Sequence, residues 1–367
     1  MTRFANLRPW IFCSIGLGIS CILSSGCDHA NDTRPDAPLP VVNWSPRERR
    51  IADSLIGVER VIQLSTGVLG LVESARPVLT LINSDRRLVQ RFGRRGSGPG
   101  EFNDPGPIVL LPGDTLAVPD RPGRHLHLFS PQGEYVRTAD LPYAAFLETI
   151  LFSDSSGFLY LVPSTPQGGR IAGRHDSLPF LRFQLDSRAA DTVWTVPAEE
   201  IGAFDTGDGG VLVTTVPFAP VHGVGVSGRG LLWRILGSPA RVDTKPGSGQ
   251  ARIGPVWSLK PARVTAEDRD SVLGEFRQSR WPNVRLRFAE TKPIFDESIV
   301  APWGQAWVHM LDAQGRNRYL VFDSAGRSIR NVQFSKGNRV VGFGVGEVYL
   351  IHQDLTGFET LIRVSLD

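Results

Sequence analysis

Apolar residues fall along this chain in short runs, each stopped by Gly, Pro, Asn, Asp or Ser. GVLGLVES (Gly67–Ser74), PVLTLINS (Pro77–Ser84) and RLVQRF (Arg87–Phe92) are followed by a glycine-rich stretch, FGRRGSGPGEFNDP (Phe92–Pro105). The pattern then begins again with PIVLLPG, TLAVPD and HLHLFSP, from Pro107 to Pro131. Runs of this length, rich in Val, Leu and Ile and bounded by turn residues, predict the strands of antiparallel meanders. The glycine-rich stretch is then the step from one small sheet to the next.

The pattern repeats. LTLINSDRRLVQ (Leu79–Gln90), LHLFSPQGEYVR (Leu126–Arg137), LRFQLDSRAADTVW (Leu181–Trp194) and YLVFDSAGRSIR (Tyr319–Arg330) each run into a polar corner and leave it as a second strand. Asn, Asp, Ser and Gly suit such corners because they tolerate positive φ or bond their own backbone. Before these corners PGDTLAVPD, SSGFLYLVP, SGRGLLWRI and PWGQAWVHM each lead a turn straight into a strand. Self-similarity at tens of residues predicts an all-β, six-bladed β-propeller at about 47 residues per blade. Seven blades of about 40 fit the arithmetic too, and the visible corners favour six. RVIQLS (Arg60–Ser65) is expected to close the ring against the C-terminal ETLIRVSL (Glu359–Leu366), and the fourth blade to start at Val211. One segment breaks the pattern: Thr265-Ala266-Glu267-Asp268 is a capping box, with Val272, Leu273 and Phe276 on one helical face. It predicts a short helical insertion at about 263–290.

The run VQRFGRRGSGPGEFNDPG resembles the inter-blade loop of six-bladed propellers of the NHL-repeat-like or TolB-like type, through Phe92-Gly93, Gly96 to Gly100, Phe102 and Pro105. The corners YLVFDSAGR and HLHLFSPQGE are similar to the hairpin of the same family. Where that family carries an Asp-Ser dipeptide, this chain departs from it, with Pro119-Asp120-Arg121 and Val72-Glu73-Ser74. The resemblance spans roughly Arg60 to Leu366 and implies a rigid ring whose rim or channel mouth holds a partner.

Composition changes the picture little. Forty basic against 37 acidic residues leave a net charge of +3, which is too balanced to imply a nucleic-acid partner. The N-terminus changes it more. Arg3 and Arg8 precede an apolar stretch from Pro9 to Leu23, and Ser24-Ser25-Gly26-Cys27 resembles a bacterial lipobox. Residues 1–27 are therefore expected to be a lipoprotein signal peptide with Cys27 lipidated, an uncleaved anchor or ordinary secretion signal being the alternative. All three cysteines lie in this leader, so the folded part is expected to hold neither disulfide nor thiolate metal site. The proline-rich stretch 28–57 reads as a tether, with a short helix possible from Ser45 to Ser54, and 58–367 as the propeller. The expected location is the bacterial cell envelope, on a membrane through the lipid.

Candidate chemistry is sparse. Gly96–Gly100 lacks the Lys-Ser/Thr of a phosphate loop and reads as a structural turn. Arg94 and Arg95 in that loop are the candidate rim residues for binding a ligand. His125 and His127 alternate on one strand and face one side, so with Glu73 or Asp120 they form a candidate metal set; a solvated paired-His face is the preferred reading, and no metal or other cofactor is expected. No catalytic motif is local enough to name. The expected function is accordingly a binding or scaffold module for a protein or small ligand, not an enzyme. The alternative is a metal-assisted hydrolase or lyase with its site in the central channel.

Overall fold

The computed structural model describes residues 41–42, 48–83, 88–120, 125–141, 150–163, 177–187, 189–311 and 317–366. The leader with Cys27, the tether up to residue 40 and the loop at 166–173 lie outside these. The described residues are mostly strand, in antiparallel sheets that pack around a ring of the propeller type, with one α-helix. Among them no helix is long and apolar enough to cross a membrane.

An eight-stranded sheet joins the two ends of the chain. Its order is Arg49–Leu55, Glu359–Ser365, Glu347–Gln353, Asn338–Gly344, Val58–Gln63, Leu69–Glu73, Val78–Asn83, Leu88–Phe92. Its two halves meet through a single parallel bridge, Gly342 to Val61. A Cβ at Gly342 would collide with the Val61 carbonyl, so the backbones approach this closely only at glycine. Closure thus differs from expectation. The strand that pairs with the C-terminal strand is Arg49–Leu55, not Arg60–Ser65, which opens the next half-sheet. The same strand replaces the helix expected over Ser45–Ser54 and takes seven residues out of the expected tether. The reason is an edge that must be covered: Ala52 and Leu55 bury themselves with Tyr349, Ile351 and Leu361, and the outer ladder of Glu359–Ser365 is paired.

The remaining sheets follow in chain order. Four strands span Val109–Leu111 to Tyr135–Asp140, four span Ile150–Ser153 to Asp191–Pro197, and three span Gly223–Val226 to Ala240–Lys245. A fifth set runs from Phe295–Ala301 to Ser328–Gln333, with Val41–Val42 added in parallel to its outer strand. The first strand of each sheet lies beside the first strand of the next, through Val109–Leu111, Ile150–Ser153, Gly223–Val226, Phe295–Ala301, Asn338–Gly344 and Val58–Gln63.

Apolar cores fill the seams between sheets. Leu64, Val72 and Leu81 meet Ile108, Leu116 and Phe129, while Trp233 and Val242 meet Phe295 and Phe322. Trp307 and Tyr319 likewise meet Phe343 and Leu350. Both faces of a second strand are therefore covered as well, which is why Leu69–Glu73 is buried throughout instead of alternating. At roughly 1.5–3 kcal/mol per buried large aliphatic or aromatic side chain, these cores are the main source of stability.

The helix, Ala266–Arg277, forms as its capping box predicts. Thr265 accepts from the Asp268 backbone, and the Asp268 carboxylate accepts from the Thr265 N–H at 2.9 Å. Asp268 is buried because Lys292 also reaches it, at 2.7 Å. Phe276 on the helix, with Trp281, Val284 and Leu286, packs on Phe204, Leu212 and Val216. Those last residues belong to a separate hairpin, Ile201–Asp205 with Val211–Thr215. The expected fourth blade therefore starts too early at Val211: its sheet begins at Gly223, and the hairpin joins the helix as a side module.

A chain begun at Val58 would leave the outer edge of the C-terminal strand unpaired and Tyr349 and Leu361 less covered. It should lose at least ~3 kcal/mol and melt ~10 °C lower or not fold, whereas a chain begun at Val41 should melt as the parent does, compared by circular dichroism.

Candidate functional site

The inner strands all start at one end of the ring, and antiparallel pairing brings the end of each second strand to the same level. Val58 lies opposite Glu73, Glu297 opposite His309, and Asn338 opposite His352. Polar residues that look scattered in sequence thus gather at this end, while the Asp323-Ser324 type of corner lies at the other.

The strongest pair there is Asp296 with His309. The Asp296 Oδ1 lies 2.6 Å from His309 Nδ1, with the imidazole about four-fifths buried. The His309 ring packs on Tyr319 at 5.0 Å between centroids. Burial pulls the His309 pKa down, but the hydrogen bond to Asp296, the charges of Asp296 and Glu297, and a hydrogen bond to Asn317 leave it raised above the ordinary value. Tyr319 is driven strongly upward, first by burial and then by the Glu297 charge, so its phenol stays neutral; its oxygen accepts from the Val340 N–H at 3.0 Å. A carboxylate at this distance fixes the imidazole tautomer and favours its protonated form.

A band of buried charge continues from there. Arg339 donates to the Val58 carbonyl at 2.7 Å, and Glu359 accepts from the Val58 N–H at 2.8 Å. Burial raises the Glu359 pKa, helped by the nearby Glu73 charge and opposed by the Val58 hydrogen bond and Arg339. Arg60, on the first inner strand, reaches across the ring to the Leu151 carbonyl at 2.8 Å and lies over the Phe152 ring. Burial brings its pKa down to about 10, against the Glu59 charge that favours the cation.

The residues singled out from sequence divide. Arg94 and Arg95 do come together, with Arg76, along one open groove at this end. Their loop is fixed by Phe102, which is fully buried, and by Asp120, which accepts from the Asn103 and Asp104 N–H groups at 3.1 and 2.7 Å. Gly93 has φ +80° and faces the Gly100 carbonyl so closely that a Cβ would lie 2.7 Å from it, so glycine is required. The candidate metal set is not assembled. Glu73 is held by Thr80 and Arg91, each at 2.8 Å, which uses its carboxylate for packing a charge within the sheet. His127 is buried between Phe102 and Tyr135, with its Nε2 3.9 Å from Asp120, and burial lowers its pKa. His125, at the exposed start of the strand, pairs with Asp140 instead, at 3.1 Å. Among the described residues no three His, Cys, Asp or Glu side chains are grouped as metal ligands.

Sequence reasoning missed Asp296, His309 and Asn317. A signal was present: the Pro302–Gly304 turn centres a hairpin that sets position 297 against 309.

No family model matches the sequence, and no curated protein does. Solved structures do match in fold. A member of the DUF4221 family from Bacteroides vulgatus aligns over 88% of this chain and 96% of its own at 10% identity, with a TM-score of 0.56. A gluconolactonase from Xanthomonas campestris aligns over 87% and 90% at 10% identity, with a TM-score of 0.50. The fold is thus shared with an enzyme, and this corrects the expectation of a non-catalytic binding or scaffold module. That expectation rested on the lack of a local catalytic motif, and this architecture builds its polar pairs across hairpins instead.

Because the folded state raises the His309 pKa, the pair should add stability below the unfolded value near 6.5, and lose it as pH rises through the folded value. Asp296→Asn should therefore cost on the order of 1 kcal/mol at pH 6 and little at pH 9, by denaturant melts, and NMR should place the His309 midpoint at lower pH.

Proposed function

We propose that the protein is a hydrolase or lyase built on a six-bladed propeller, working at the channel mouth where the inner strands begin. The blade count takes the two halves of the eight-stranded sheet as separate blades, each closed on its neighbour by an apolar core. The observation that carries the activity is the 2.6 Å contact of Asp296 with His309 beside the neutral Tyr319. Asp296 holds the imidazolium, and His309 gives its proton to a leaving oxygen as the carbon–oxygen bond breaks. Water adds to the carbon in hydrolysis, and the proton that water loses restores the imidazolium. Similarity to a lactone-opening enzyme supports sugar lactones and simple esters as the first substrates to try. The leader supports export and attachment to an envelope membrane through lipidated Cys27.

The test is turnover of a panel of sugar lactones and aryl esters by pH-stat, on the parent, His309→Gln and Asp296→Asn. The parent should turn over at least one compound, and His309→Gln should reduce its kcat by about 10²–10⁴-fold at a temperature where circular dichroism shows the variant still folded. A parent inert on the whole panel, or a His309→Gln variant as fast as the parent, would overturn the assignment.

A further inference from the structure

A second site lies apart from the Asp296–His309 pair. The groove that holds Arg94 and Arg95 has a volume of about 590 Å³ and runs between the two halves of the eight-stranded sheet. Its floor is apolar: Pro77 and Val78 from the turn after Leu69–Glu73, Ile56 from the end of the first strand, and Phe358 from the turn before Glu359–Ser365. Phe358 is 45% exposed, a large ring left open to solvent. Above the floor stand three guanidinium groups, Arg76, Arg94 and Arg95.

Their charges are unequally used. Arg94 Nε lies 2.6 Å from Glu101, and Arg76 lies 3.5 Å from Glu73. Arg95 is exposed and has no hydrogen-bond or ion-pair partner among the described residues. Both walls are rigid. The Arg95 backbone bridges to buried Phe102, and the Phe102 N–H donates to the Arg94 carbonyl at 2.9 Å. On the other wall the Asp354 carboxylate accepts from the Thr356 and Phe358 N–H groups at 2.8 and 3.1 Å. A preformed apolar trough with an uncommitted cation at its edge favours a ligand with an apolar body and one anionic head.

We infer that this groove binds a soluble amphipathic carboxylate, its chain or ring lying on Phe358, Pro77 and Val78 and its head taken by Arg95. Arg94 and Arg76 add field without giving up their carboxylate partners. The size suits a medium-length acyl or an aryl acid, since pockets for ligands of this class span roughly 300–1,000 Å³. Arg is the fitting residue because its planar fork meets a carboxylate through two hydrogen bonds.

Isothermal titration with decanoate and with decanol tests this on the full chain. Decanoate should bind saturably with one site, and Arg95→Gln should weaken it about tenfold or more while leaving decanol unchanged. Phe358→Ala should weaken both ligands. Both side chains are exposed, so melting curves should stay at the parent value and separate lost binding from lost fold. Absence of saturable decanoate binding, or equal affinity in parent and Arg95→Gln, would overturn the proposal. Neither result touches the Asp296–His309 assignment, whose readout is turnover.

Discussion

Everything in this molecule depends on the pairing of Arg49–Leu55 with Glu359–Ser365. A sheet packed in a ring has apolar faces on both sides and no solvent face to spare, so each needs a neighbour on either hand. Where the chain's two ends meet, that requirement is met by hydrogen bonds between strands some 300 residues apart, backed by Ala52 and Leu55 in the core. With the ring closed, the inner strands hold a common level, and that level decides which polar residues become neighbours. Asp296 meets His309, and Arg339 meets Val58, because the strands are held in register. Chemistry here is a consequence of alignment.

Several buried charges lie at one end of the ring and cost stability there. Glu73, Glu359 and Asp120 are all nearly or fully buried, and Arg60 spans the ring with its cation desolvated. Each is matched by specific partners: Thr80 and Arg91 for Glu73, backbone N–H groups for Asp120 and Glu359, the Leu151 carbonyl for Arg60. Apolar residues of similar volume would often hold such positions at no loss. Their retention at the end that also carries Asp296 and His309 fits the general trade of stability for a polar site.

Local patterns in the sequence were readable and distant ones were not. The capping box at Thr265 and Asp268 is complete within four residues, so the start of its helix was legible, while the expected insertion at about 263–290 runs past the helix end at Arg277. The Phe92–Pro105 loop was legible because glycine at 93 and 100 answers a local backbone demand, φ +80° and +73°. The closing strand was not. RRIADSL carries three charges in seven residues and has no strand periodicity of its own, because it lies at the outer edge and buries only Ala52 and Leu55 fully. The expected solvated pair of His125 and His127 fails at the second residue: His125 stands in solvent beside Asp140, while His127 is buried against Phe102. Asp296 and His309 looked solitary because 13 residues and a turn separate them in the chain.

The closing strand also imposes an order in time. Arg49–Leu55 is made some 300 residues before its partner Glu359–Ser365. During synthesis, and during any passage of the extended chain through a membrane, the first strand has nothing to pair with, and the ring cannot lock until the final strand arrives. Contacts so distant in sequence form slowly, and the intermediate carries open edges on both sides. Loss of the seven residues Glu359–Ser365 would therefore act on the whole ring at once, leaving an unlocked chain with an exposed edge for quality control to recognise.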